Sequence, residues 1–229
     1  AALLGEVGVV LGREPRERVA EGVLPELHAP ASLSLGPLEV HAFGALVTLA
    51  FVVFHLGFVR RARLPRGVGD LLAIAAEGSA LVGLFLVLPA LEGPASAVGV
   101  NATLSTLGAA PFAALGLGAA CLATGTPVRA AFDHAALAFA PAMLVARTGC
   151  ALAHDHLGRA SESPLAVRFA SGARFDLGAL EWLGLLPLVA AVALARRWQP
   201  TLARRPGAAA LLVVMYYALL RLALAAFAA

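Results

Sequence analysis

Lysine is absent from this chain of 229 residues, and all 17 basic side chains are arginine. Charged residues of both signs make up only 14% of the sequence and aromatic residues 7%, against 60% apolar residues. That is well short of the roughly one residue in four that is charged in a soluble globular domain, so such a domain is not the expectation. A net charge of +3 also gives no case for a nucleic-acid-binding face. Cysteine is nearly missing: Cys121 and Cys150 both lie in or at the end of apolar runs. They read as small buried hydrophobes and not as a disulfide framework.

Long apolar runs are what the chain has instead. A membrane-spanning helix needs about 20 mostly apolar residues. Six stretches meet this, at about 40–59, 68–91, 97–123, 130–152, 178–195 and 207–228. The breaks between them ("RRARLPRG", "EGPAS", "TGTPVR", the polar piece 153–177 and "RRWQPTLARRPG") are rich in Pro, Gly and Arg, which end helices. The expected fold is all-α, a polytopic membrane helical bundle of about six transmembrane helices with a polar outer-side loop region. Residues 1–30 mix Glu, Arg and Pro with short apolar pieces; they read as an interfacial or loosely ordered extension to the transmembrane domain 31–229, and not as a signal peptide.

The arginines set the orientation. Arg60, Arg61, Arg63 and Arg66 follow the first span, Arg129 precedes the fourth, and Arg196, Arg197, Arg204 and Arg205 separate the fifth and sixth. The positive-inside rule assigns these loops to the cytoplasm and 153–177 to the outer, periplasm-like side. That outer region nevertheless carries Arg147, Arg159, Arg168 and Arg174. Arg147 and Arg221 are also flanked by apolar residues on both sides, and an ionisable group at membrane depth is costly enough to read as functional.

The stretch "RTGCALAHDHLGR", 147–159, concentrates this chemistry. His154, Asp155 and His156 suggest a metal site, but the remaining histidines are scattered and no further ligand completes a set of three or four. No metal and no cofactor are expected. Anion binding fits better. Arg147, Arg159, Arg174 and Arg221 fall at outer helix ends or in the outer loop, where guanidinium forks could converge on one lipid phosphate. Beside that phosphate His154 or His156 would serve as a proton-transfer group, with Asp155 orienting it. A plainer alternative stays open, in which Asp155 pairs with Arg159 and the histidines are solvated.

The segment "ARTGCALAHDHLGR" resembles the signature G-R-x-G-N-F-x-N-x-E-x-x-G-R of the bacterial prolipoprotein diacylglyceryl transferases, without a gap. Arg147 stands for the signature arginine, Gly149 and Gly158 for glycines, Asp155 for the glutamate and Arg159 for the closing arginine. Ala146, Cys150 and Ala153 replace a glycine and two asparagines. "SLGPLEVHAFGAL" resembles I-G-P-L-x-I-x-x-Y-G-L, with Phe43 for the tyrosine. "RFDLGALEWL" resembles R-H-P-S-Q-L-Y-E, keeping Arg174 and Glu181, and "YALLRLALAAF" resembles Y-G-x-x-R-F-x-x-E-F, keeping Tyr217 and Arg221. The resemblance covers about residues 31–227.

It implies a phosphatidylglycerol:prolipoprotein diacylglyceryl transferase in a bacterial inner membrane, its active side facing the periplasm. Such an enzyme moves diacylglycerol from phosphatidylglycerol to the lipobox cysteine thiol of a preprolipoprotein signal peptide. By the same resemblance Arg147, Arg159, Arg174 and Arg221 hold the lipid phosphate. The chain departs from the pattern at the H-G-G-L motif, where Thr103 stands at the expected histidine. Two further readings follow from that departure: a catalytically inactive paralogue that binds anionic phospholipid or serves as an accessory membrane protein, and a different enzyme that uses "HDH" on another anionic lipid or thiol.

Overall fold

The computed structural model describes residues 24–25, 32–35, 38–65, 67–92, 106–195 and 205–228. Within these residues lie six helices: α1 (Ala42–Ala62), α2 (Val68–Glu92), α3 (Thr106–Thr124), α4 (Val128–Ala153), α5 (Leu177–Ala195) and α6 (Ala208–Ala225). Four of them, α1, α4, α5 and α6, are long and apolar enough to cross a membrane. Their outward side chains are themselves apolar: Leu211, Leu212, Leu219 and Leu222 of α6 are all exposed. In water that surface would be a liability, whereas in lipid it needs no cover. The chain is an all-α membrane bundle.

Helix α4 is the central post, packed on α1, α3, α5 and α6. It runs antiparallel to α1, since Gly57 faces Ala138 near one end and Gly149 faces Phe43 near the other. Two apolar clusters share it. Phe58, Leu72, Cys121, Ala131 and Ala138 join α1, α2 and α3 to α4, while Ala140, Met143, Leu185, Leu188 and Val213 join α4 to α5 and α6. Helices α2 and α3 pack closely through small residues. A Cβ at Gly83 would come within 2.6 Å of the Gly108 carbonyl and of the Phe112 side chain, and one at Gly116 would overlap Ser79. Lipid gives apolar helices no hydrophobic reason to associate, so close backbone approach and the van der Waals contact it permits hold this pair.

The helix ends are set by local chemistry. Helix α1 stops at Arg63, whose left-handed backbone (φ 48) turns the chain ahead of Pro65. Helix α6 begins at Gly207, and Asp133 of α4 caps it, accepting hydrogen bonds from the backbone N–H groups of Gly207 at 2.7 Å and Ala210 at 2.8 Å. The carboxylate thereby satisfies two of the N–H groups that a helix start leaves without intrahelical partners. The turn α1–α2 and the starts of α4 and α6 bring Arg60, Arg61, Arg63, Arg129 and Arg205 to one end of the bundle.

The opposite end carries β-structure. The polar piece that the sequence suggests as a loop folds into strands β4 (Leu157–Ala160), β5 (Ala166–Phe169) and β6 (Gly172–Asp176). With the short strand β1 (Leu24–Pro25) they form one sheet in the order β1-β5-β6-β4. A separate hairpin, β2 (Ser32–Leu35) and β3 (Leu38–His41), leads into α1. The alternation in "LAVRFASGARFD" with a glycine at its turn is a hairpin signal, and β5 and β6 pair in that register, Phe169 opposite Gly172. Most of residues 1–30, and Thr103, fall outside the described residues.

Candidate active site

Helices α4, α5 and α6 meet below the sheet around one carboxylate, Glu181. Its side chain is 2% exposed, inside the apolar packing of α5. A carboxylate there is stable only if paired and hydrogen-bonded. Three side chains supply this. Arg147 Nε of α4 lies 3.0 Å from Oε1, Tyr217 Oη of α6 donates to Oε1 at 2.7 Å, and Arg221 NH1 of α6 donates to Oε2 at 2.8 Å. Tyr217 and Arg221, four residues apart, stand on one face of α6, as helical spacing requires.

The two arginines differ in access. Arg147 is 5% exposed and Arg221 43% exposed. Two guanidinium groups share one carboxylate, so the trio carries one more positive charge than negative. An anion arriving from the Arg221 side meets donors already oriented by Glu181. Arg147 also donates from NH1 to the Cys150 sulfur at 3.3 Å. Trp182, next to Glu181, donates its indole N–H to Thr148 at 3.0 Å and ties α5 to α4.

Above this network α4 ends at His154, the residue that takes the left-handed conformation (φ 49) and reverses the chain toward β4. Its Nδ1 lies 2.5 Å from Oδ2 of Asp176, the last residue of β6. Asp176 is 1% exposed, and its other oxygen accepts the Ala179 N–H at the start of α5. One buried carboxylate thus caps a helix and fixes the orientation of an imidazole. His156 is placed differently: its Nδ1 meets Asp155 at 2.6 Å, and both side chains are about a quarter exposed.

The residues singled out in the sequence therefore fall into groups. Arg147 and Arg221 come together through Glu181 and Tyr217. Arg159 and Arg174 lie on neighbouring strands of the sheet. Arg159 sits over the rings of Phe175 and Phe227, 5.9 Å from each centroid, and Arg174 donates to the Gly158 carbonyl at 3.0 Å. The signature glycines are packing positions. A Cβ at Gly149 would press on Phe43. One at Gly158 would strike the Phe227 carbonyl, which accepts the Arg159 N–H.

Asp176 is the partner that sequence reasoning missed, since Asp155 had been the expected orienting group. The signal was present: an aspartate immediately before the apolar run "LGALEWL" is a strong helix N-cap. No spacing rule, however, connects it to a histidine 22 residues earlier.

A comparison with curated protein sequences returns no match. A comparison with family profiles matches Prolipoprotein diacylglyceryl transferase over residues 30–227, a range that takes in all six helices of the described residues, with Arg147, His154, Glu181 and Arg221. The chain belongs to the prolipoprotein diacylglyceryl transferase family, a family of membrane transferases in lipoprotein biosynthesis.

Proposed function

We propose that this chain is an active phosphatidylglycerol:prolipoprotein diacylglyceryl transferase of a bacterial inner membrane, with its site on the periplasmic face. The observation that carries the reading is the shared buried carboxylate: Glu181 holds Arg147 and Arg221 within hydrogen-bond reach of one another's partner. Phosphatidylglycerol presents a phosphodiester at the membrane boundary, and two guanidinium forks with an excess positive charge suit it.

In the transfer, the lipobox thiol gives up its proton and its sulfur bonds to the diacylglyceryl methylene carbon. The carbon–oxygen bond to phosphate breaks, and its electron pair goes to the phosphate oxygen, released as glycerol phosphate. Arg147 and Arg221 stabilise the charge gathering on that oxygen, which fixed donors in a low-dielectric site do far better than water. Burial of Arg147 and its tie to Glu181 leave little reorganisation for the moment of reaction.

A thiol with an ordinary pKa of about 8.5 is mostly protonated at neutral pH, so a base is needed. His154 is the assignment. Asp176 holds its Nδ1, and Nε2 is the nitrogen that would take the thiol proton, as in the carboxylate–imidazole pairs of other nucleophile activations. Among the described residues His156 pairs with its exposed neighbour Asp155 and is the weaker choice. On this reading, Arg159 and Arg174 belong to the sheet that roofs the site, where they bind the outer rim of the headgroup.

The test is complementation of a strain depleted of its own transferase. Growth with wild type, and none with Arg147→Ala at equal membrane abundance, is the expected result. A wild-type chain that is abundant in the membrane and fails to restore growth would instead favour the accessory, lipid-binding reading.

A further inference from the structure

The pair Asp155–His156 takes no part in the proposed transfer, and the structure supplies the group the sequence alone could not bring to it. Cys150 lies in the last turn of α4, and its sulfur faces the same point as Asp155 and His156. One ligand atom from each, a thiol sulfur, a carboxylate oxygen and an imidazole nitrogen, all lie within 4.8 Å of one another. We propose that Cys150, Asp155 and His156 form a binding site for a divalent cation of the zinc class, a property that goes beyond the transfer reaction and does not depend on it.

The donor set points to the class of ion. A thiolate with an imidazole favours zinc and its borderline-soft neighbours over magnesium or calcium, which take oxygen ligands. Zinc–sulfur and zinc–nitrogen bonds of about 2.3 and 2.0 Å at a tetrahedral angle put two ligands about 3.5 Å apart. The His156 Nδ1 and Asp155 Oδ1 are 2.6 Å apart in a hydrogen bond and the three ligand atoms lie within 4.8 Å of one another, so reaching that separation takes shifts of about 1 Å. Three protein ligands leave a fourth position open, the arrangement of an exchangeable site. Cys150 is buried while Asp155 and His156 face outward, so an ion arrives from the exposed side and meets the sulfur last.

Arg147 does not bar the ion. Its Nε lies 3.0 Å from Glu181 in an ion pair, and its NH1 donates to the Cys150 sulfur at 3.3 Å. A metal-bound thiolate still accepts such N–H bonds, which are common outer partners of metal ligands. Binding releases the thiol proton. It also ties the last turn of α4 to the segment that enters β4, the two pieces of chain that His154 joins at its left-handed turn.

Cobalt(II) titration of the purified full-length chain in detergent tests the site. Wild type should bind one equivalent with a near-ultraviolet thiolate-to-cobalt charge-transfer band that zinc displaces. Cys150→Ser should lose the band and Cys121→Ser should keep it. His156→Asn should weaken cobalt binding by more than the roughly 10–100-fold that loss of an outer-shell partner costs. Zinc should raise the melting temperature of wild type and leave that of His156→Asn unchanged, which gives a second readout if Cys150→Ser misfolds. No band in wild type, or a band of equal strength in Cys150→Ser, overturns the proposal. Neither result depends on whether the chain transfers diacylglycerol.

Discussion

Two buried or half-buried carboxylates join helices at opposite ends of the bundle, and they do so in different ways. Asp133, near the start of α4, accepts two backbone N–H groups of the α6 N-terminus. Glu181, in α5, is held by side chains: two guanidinium groups and a phenol reaching it from α4 and α6. Backbone donors are fixed by the helix and have nowhere else to go, so the Asp133 contact is architectural. Guanidinium forks carry five N–H donors each, so on the proposed reading Arg147 and Arg221 would serve Glu181 and a phosphate together. Glu181, which orients cations, marks the proposed site, whereas Asp133, which caps a helix, marks a joint; Asp176 does both, capping α5 and orienting His154.

The comparison can be broken most easily at Arg147. Arg147→Ala should lower diacylglyceryl transfer by at least the roughly 10²–10³-fold that follows removal of one oxyanion-stabilising donor. It should also destabilise the fold, by about 3–5 kcal/mol if Glu181 loses its buried partner outright. Transfer measured per folded molecule separates the two effects. Next comes the orienting pair. His154→Ala and Asp176→Asn should each reduce transfer by about 10²–10⁴-fold, the range for general base catalysis, with phosphatidylglycerol still retained on purification. Loss of lipid together with rate would move His154 and Asp176 from proton transfer to binding.

Smaller effects sharpen the architectural side. Gly158→Ala forces a methyl group against the Phe227 carbonyl and should cost about 1–3 kcal/mol, read as a lower melting temperature. Asp133→Ala removes a helix cap and should cost about 1–2 kcal/mol, while transfer per folded molecule stays near wild type. If Asp133→Ala silenced the folded enzyme as fully as Arg147→Ala, the distinction between joint and site would be lost.

Much of the helical fold was legible because the bilayer imposes a length and a polarity on each span. The starts of α2 and α4, at Val68 and Val128, fall within two residues of the apolar runs that announced them. The pairing of Arg147 with Arg221 was partly legible: each is an ionisable residue at membrane depth, and such residues seek each other's partners. Glu181 was visible only through the family resemblance, because a single glutamate in "GALEWL" carries no periodic signal of its own. The sheet was the larger surprise. Its strands are two to five residues long, and beyond the hairpin signal of β5 and β6 such short stretches look like loop until the partner strands are known. The contact of His154 with Asp176 belongs to that tertiary folding-back and to no local pattern.

The most direct test of the central claim is transfer of labelled diacylglycerol from phosphatidylglycerol to a lipobox peptide by the purified chain, measured alongside lipid retention. The account predicts a thioether-linked labelled peptide from wild type, and neither product nor retained phosphatidylglycerol from the Arg147→Ala, Arg221→Ala double variant. A double variant that matches wild type in rate and in bound lipid would contradict the phosphate site built on Glu181.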